Sequence, residues 1–108
     1  MIYVASPYSH EDGKIREERY EKVTKYVADL VSKGHVAISP ITYGHSLLKY
    51  KKMPTDFKFW ENFCLDLLSK SDIMYVYKMD GWINSKGIQM EIKYAEENNI
   101  PIVYIVEQ

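Results

Sequence analysis

From Asp72 to Tyr77 the chain reads Asp-Ile-Met-Tyr-Val-Tyr, an apolar and aromatic run without polar alternation after its first residue. A strand with one wet face alternates polar and apolar side chains. An unbroken run therefore predicts a strand covered on both faces, as in a parallel sheet between helical layers. Three other short runs have the same character: Ile2-Tyr3-Val4-Ala5, His35-Val36-Ala37-Ile38 and Pro101-Ile102-Val103-Tyr104-Ile105-Val106. The first two stop at Ser-Pro pairs, and the last opens on a proline, which a strand tolerates at its first position.

Helical patterns separate these runs. Ser9 to Asp12 reads as a capping signal, with the Ser9 side chain as acceptor for the first free amides. The stripe Ile15, Arg19, Tyr20, Val23, Val27, Leu30 and Val31 then carries a helix to about Lys33, and Gly34 is placed for the left-handed residue that ends it. A second helix runs from about Thr55 to Lys70, turning Trp60, Phe63, Cys64, Leu67 and Leu68 inwards, and a third from Asn84 to about Asn98. This alternation predicts an α/β fold: a flavodoxin-like (Rossmann-like) three-layer sandwich with a parallel sheet of four strands, or five if the stretch from Pro40 to Pro54 hides one. Ligands of such sheets bind beyond the carboxyl ends of the strands, near a topological switch point. Three segments follow those ends: Ser6 to Ser9, Pro40 to Pro54, and Lys78 to Ser85. The middle one is long and shows no obvious structure, which suggests a lid or a substrate loop.

The third helix carries an anomaly. Its apolar stripe is Ile88, Ile92 and Ala95, and at ~100° per residue Glu91 falls inside that stripe. Lys93, Glu96 and Glu97 point the other way. A carboxylate on the buried side needs a partner, a proton or a chemical task. The turn before it, Asp80-Gly81-Trp82-Ile83-Asn84-Ser85-Lys86-Gly87, supplies backbone amides and the positive end of a helix dipole, a setting that suits an anion.

Composition bounds the possibilities. At 108 residues the chain is read as one domain, residues 1–108, with 46% hydrophobic and 27% charged residues. A net charge of −1 gives no bulk attraction to nucleic acid or to a membrane surface. One cysteine forms no internal disulfide, which fits a reducing cytoplasm. The first strand at residue 2 leaves no room for a signal peptide, and no apolar run approaches the ~18–20 residues of a membrane span. His10, His35 and His45 lie on separate elements without clustered cysteine or aspartate ligands, so no metal site is expected. The ten tyrosines either pack the core or line a pocket that stacks a base, packing being the commoner use.

Taken in order, Met1-Ile2-Tyr3-Val4-Ala5-Ser6-Pro7-Tyr8-Ser9-His10, then Ser39-Pro40-Ile41, then Gly81-Trp82, and finally Ser85-Lys86-Gly87-Ile88 through Glu91 resemble the nucleoside 2-deoxyribosyltransferase superfamily. The nearest likeness is to its short bacterial and phage members. The most specific piece, Ser-x-Gly-(Val/Ile)-x-x-Glu after a buried strand, is also the pattern of the deoxynucleoside 5′-monophosphate N-glycosidases. The resemblance implies a catalytic Glu91 that attacks C1′ of a 2′-deoxyribosyl group, forms a glycosyl–enzyme ester and expels the base. Water or a second base then resolves the ester. It implies that Tyr3 holds the nucleophile and that Ser85 and the amides around Gly87 bind a 5′-phosphate. Ser6 and Tyr8 would line the same mouth. From their positions alone, His45 in the long loop either contacts substrate or is solvated, and Trp82 beside Gly81 either stacks on a base or covers the pocket, or packs the core. The resemblance further implies a nucleoside or nucleotide partner, no cofactor, and a homodimer or larger homo-oligomer.

One departure matters. Members of that superfamily usually carry an aspartate eight residues ahead of the one that starts the third strand, and counting back from Asp72 reaches Cys64. Asp66 is rotated ~200° away on the same helix, on the face of Asn62 and Lys70. A thiol is a weak acid for protonating a leaving base, and loss of general acid catalysis commonly costs ~10²–10⁴ in rate. The alternative expectation is therefore a non-catalytic protein that binds or senses a nucleotide or an ADP-ribose-like signal.

Overall fold

The structure, a computed structural model, describes residues 1–108. Each apolar run forms a strand: β1 is Ile2–Ala5, β2 Ala37–Ile38, β3 Ile73–Lys78 and β4 Ile102–Val106. All pairings are parallel, in the order β2-β1-β3-β4. The fold is the flavodoxin-like three-layer α/β sandwich. In this order the chain reverses direction across the sheet between β1 and β3, the switch point at which a crevice opens beyond the strand ends.

Four helices connect the strands: α1 (Gly13–Ser32), α2 (Pro40–Leu47), α3 (Phe57–Ser69) and α4 (Lys86–Glu97). Alternation along β1 sorts the core. Ile2 and Val4 face α1 with Val23, Tyr26, Val27 and Leu30, whereas Tyr3 and Ala5 face α3 and α4 with Cys64, Leu68, Ile88 and Ala95. Strand β3 serves both layers: Met74 and Val76 are fully buried on the second side, and Tyr77 on the first stacks its ring on Tyr26 at 4.3 Å. Most buried tyrosines are thus packing residues, with Tyr3 the exception developed below.

Local chemistry explains the helix ends. Asp12, not Ser9, caps α1, its carboxylate accepting from the amide of Lys14 at 2.9 Å; the Ser9 hydroxyl instead donates to the carbonyl of Thr55. At the other end Gly34 has φ +93°, and the amides of Gly34 and His35 return to Val31 and Leu30, the paired bonds of a Schellman motif. The same device closes α4 with Asn99 at φ 57° and the amide of Ile100 on Ala95.

The largest difference from expectation is the stretch after β2. It holds neither a loop throughout nor a fifth strand, but the helix α2. Ser39 caps it, accepting from the amides of Ile41 and Thr42, and Pro40 occupies the first turn, where its missing N–H costs nothing. The Ser-Pro pair that ends the strand also starts a helix. Two inward assignments also move. Val31 is 52% exposed, its place in the stripe taken by Tyr26, and Phe63 turns outwards to stack on Tyr43. No helix is long and apolar enough to cross a membrane.

Leu68 is fully buried where α3 meets the sheet. Leu68→Ala leaves a cavity that close-packed neighbours fill only in part, and is expected to cost ~2–5 kcal/mol. Urea unfolding should show a lower midpoint with an unchanged slope; a loss below about 1 kcal/mol would contradict this packing.

Candidate active site

A cavity of about 620 Å³ opens beyond the carboxyl ends of β1 and β3. Its walls come from four places: the segment after β1, helix α2, the first turns of α3, and the start of α4. Arg19 of α1 ties two of the loops around it, donating to the carbonyls of Ser9 (3.1 Å) and Tyr8 (3.4 Å) after β1 and of Asp80 (3.4 Å) after β3. Gly81, at φ +89°, makes the close approach possible, since a Cβ there would lie 2.7 Å from the Arg19 guanidinium.

Glu91 reaches the cavity from the buried side of α4 and is 4% exposed. Its one hydrogen bond comes from the hydroxyl of Tyr3, which is fully buried on β1. Burial pushes the Glu91 carboxyl up to about 8, against the Tyr3 hydrogen bond, which favours the charged form. The same surroundings raise Tyr3 well above the usual phenol range, through burial first and then the neighbouring Glu91 and Cys64, so its hydroxyl stays a donor. Cys64 completes the group. Burial, followed by the charge of Glu91, lifts its thiol to about 12, and it lines the cavity as a neutral SH.

The start of α4 forms the second feature. The Ser85 hydroxyl accepts from the amide of Ile88 at 3.2 Å and so caps the helix. The amides of Lys86 and Gly87, in the first turn, have no partner within the protein. Gly87 has a steric reason to be glycine: a Cβ there would sit 2.8 Å from Cδ1 of Phe57. Lys58 and Lys86 flank this end of the cavity, and Asp56 and Glu61 also face it. Opposite, Ser6 is 5% exposed and its hydroxyl has no hydrogen-bond partner. An unpaired buried hydroxyl at a cavity wall is a ready contact for a polar ligand.

The third feature is a chain of polar groups on the α2 side. The Tyr8 hydroxyl meets Nδ1 of His45 at 2.7 Å, and Nε2 of His45 faces Oε1 of Glu17 at 3.4 Å. Tyr20 stacks on the imidazole with ring centroids 4.2 Å apart.

The structure thus gathers Glu91, Cys64, Ser6, Tyr8, His45, Ser85 and Gly87 around one cavity, with Tyr3 bonded beneath Glu91. It does not bring Trp82 there. Past Gly81 the chain turns towards β4, and the Trp82 ring packs near Tyr104 at 5.8 Å with the Lys78 ammonium over it. Asp72 receives the N-terminal amine, and Asp66 pairs with Lys70 at 2.8 Å in solvent. Sequence reasoning missed Lys58, Lys86, Phe57, Glu17 and Tyr20. Lys86 had a signal, since it follows a cap residue at a helix start; Glu17 and Tyr20 had none until α2 brought His45 against α1.

Residues 1–107 match the family described as Domain of unknown function (DUF1937). The chain belongs to this family. A comparison with curated protein sequences finds no match.

The ionisation of Glu91 gives a stability signature. Its carboxyl titrates near 4.5 in the unfolded chain and about 8 when folded, so the folded state holds the extra proton between those values. Stability from this group is complete below about pH 4.5 and is lost as pH rises towards 8. Glu91→Gln removes the group and keeps an acceptor for Tyr3. The difference in urea midpoint between variant and wild type should grow in the variant's favour from pH 5 to about 8, then level off. A difference independent of pH would show that Glu91 titrates normally.

Proposed function

We propose that this protein cleaves or exchanges the N-glycosidic bond of a 2′-deoxynucleoside or its 5′-monophosphate, through a covalent glycosyl ester on Glu91. The observation that carries the reading is a carboxyl group buried at the wall of a 620 Å³ cavity, held by a buried phenol and sited at the β1/β3 switch point. A structural carboxylate gains nothing from facing a cavity at that cost of burial. A nucleophile does. The Tyr3 hydroxyl orients one oxygen and leaves the other for C1′, and developing oxocarbenium-like charge on the sugar favours the ionised form of Glu91.

The remaining walls fit the rest of such a substrate. The free amides of Lys86 and Gly87, with the side chains of Lys86 and Lys58, suit a 5′-phosphate. Ser6, with its unpaired hydroxyl, is suited to a sugar hydroxyl or a base edge. In the reaction the bond from Glu91 to C1′ forms as the C1′–N bond breaks, and the electron pair leaves with the base. Water or a second base then attacks C1′ and frees the carboxylate.

One observation favours a second reading, a nucleotide-binding protein that does not cut. Cys64 stands beside Glu91 where an acid would serve the leaving base, and a thiol lifted to about 12 donates poorly.

Mass spectrometry separates the two. Purified protein is incubated with pooled deoxynucleosides and their monophosphates, and the filtrate and the denatured protein are both analysed. Free base with the matching sugar or sugar phosphate is the expected result, and Glu91→Ala should reduce it at least ~10³-fold while still retaining nucleotide. Intact nucleotide recovered only from denatured protein would establish the binding reading instead.

A further inference from the structure

We infer that Tyr8, His45 and Glu17 form a proton relay that protonates the departing base, in place of an acid at the Cys64 position. This inference rests on the glycosidase reading and adds to it the source of the proton. The base leaves with an electron pair on nitrogen and needs a proton for a fast exit. Cys64 is a neutral thiol and the Tyr3 hydroxyl is already bonded to Glu91; of the other carboxyls lining the cavity, Asp56 and Glu61, neither side chain is hydrogen-bonded to a group that could resupply its proton.

The other wall offers a connected path. The Tyr8 hydroxyl lines the cavity and lies 2.7 Å from Nδ1 of His45, whose Nε2 faces the Glu17 carboxylate at 3.4 Å. Tyr20 stacked on the imidazole and Tyr8 set edge-on to it fix the ring's plane, so that one nitrogen points to the cavity hydroxyl and the other to the exposed carboxylate. This is the hydroxyl–imidazole–carboxylate order of a catalytic triad, run as an acid. His45 is half-buried, and Glu17 gives the path an end in solvent.

The step balances. In the reacting state His45 carries protons on both ring nitrogens and Glu91 carries none. As the C1′–N bond breaks, the Tyr8 hydroxyl gives its proton to the base and takes one from Nδ1 of His45, leaving a neutral imidazole whose Nε2–H faces Glu17. When water attacks the glycosyl ester, the proton it loses returns through Tyr8 to Nδ1. Tyr8 touches the substrate and is catalytic; His45 and Glu17 act through it.

The test compares 2′-deoxyguanosine 5′-monophosphate with its 7-methyl derivative, whose cationic base departs neutral without taking a proton. The quantity read is the ratio of the two turnover rates, which does not depend on how much of a variant is folded. In His45→Gln and in Tyr8→Phe the ratio of unmethylated to methylated turnover should fall by ~10²-fold or more. In Glu17→Gln it should fall by a smaller factor. Ratios within about threefold of wild type in both His45→Gln and Tyr8→Phe would overturn the relay while leaving the glycosidase reading intact. A wild type that releases base from neither nucleotide, nor from any member of the pooled deoxynucleosides and monophosphates, would overturn both together.

Discussion

The hydrogen bond from Tyr3 to Glu91 is the point on which the rest of the structure turns, because it joins a central strand to a helix through groups that resist burial. A phenol and a carboxyl desolvated together are stable only when they satisfy one another. That requirement fixes the rotation of α4: with Glu91 turned to Tyr3, Ile88 and Ala95 must lie against the sheet and the first turn must face the crevice. It also fixes Gly87, whose lack of a side chain admits the Phe57 ring and lets α3 and α4 pack side by side at the mouth. One polar contact thereby sets the packing of a whole helical layer.

The strand order makes this placement chemically useful. β1 and β3 are adjacent, but the chain leaves them in opposite directions across the sheet, so their connecting segments part and leave room between them. Arg19 keeps that opening from spreading by holding carbonyls from both segments. α2 closes the far side, tied to α1 by the Thr24–Thr42 hydroxyl contact at 2.8 Å and set against Trp60 at Gly44. The cavity is therefore walled by helices and by a clamped loop, which suits a site that must hold a ligand in one orientation.

Most of the fold was legible because it rests on short-range pattern. Unbroken apolar runs gave the strands, period-3.6 stripes gave α1, α3 and α4, and Gly34 marked an end that a Schellman motif realises. Glu91 was legible for the same reason, as a carboxylate inside a stripe. What stayed hidden depended on contacts across the sequence. α2 is short and weakly striped, and its cap and proline were read as the end of a strand rather than as both an end and a start. Missing α2 meant missing that His45 stacks on Tyr20, which the stripe assigns to packing, and faces Glu17, which looks like an ordinary residue on the wet face of a helix. Trp82 misled in the other direction: beside a glycine and a strand end it looked exposed to the mouth, yet the positive φ at Gly81 sends it towards β4.

The two walls of the cavity divide the chemistry by their electrostatic character. On one side Glu91, Tyr3 and Cys64 share a dry environment in which burial opposes the ionisation of all three, and a charge on Glu91 further raises Tyr3 and Cys64. An acid added to that cluster would have to compete with Glu91 for a single proton, as coupled carboxyl pairs do. On the other side Tyr8, whose phenol burial also raises, connects through His45 to Glu17 and solvent. Under the proposed function, a proton source on the wall away from Glu91 avoids that competition. A buried thiol at position 64 is then a consistent choice, since it fills space beside Glu91 without contending for its proton.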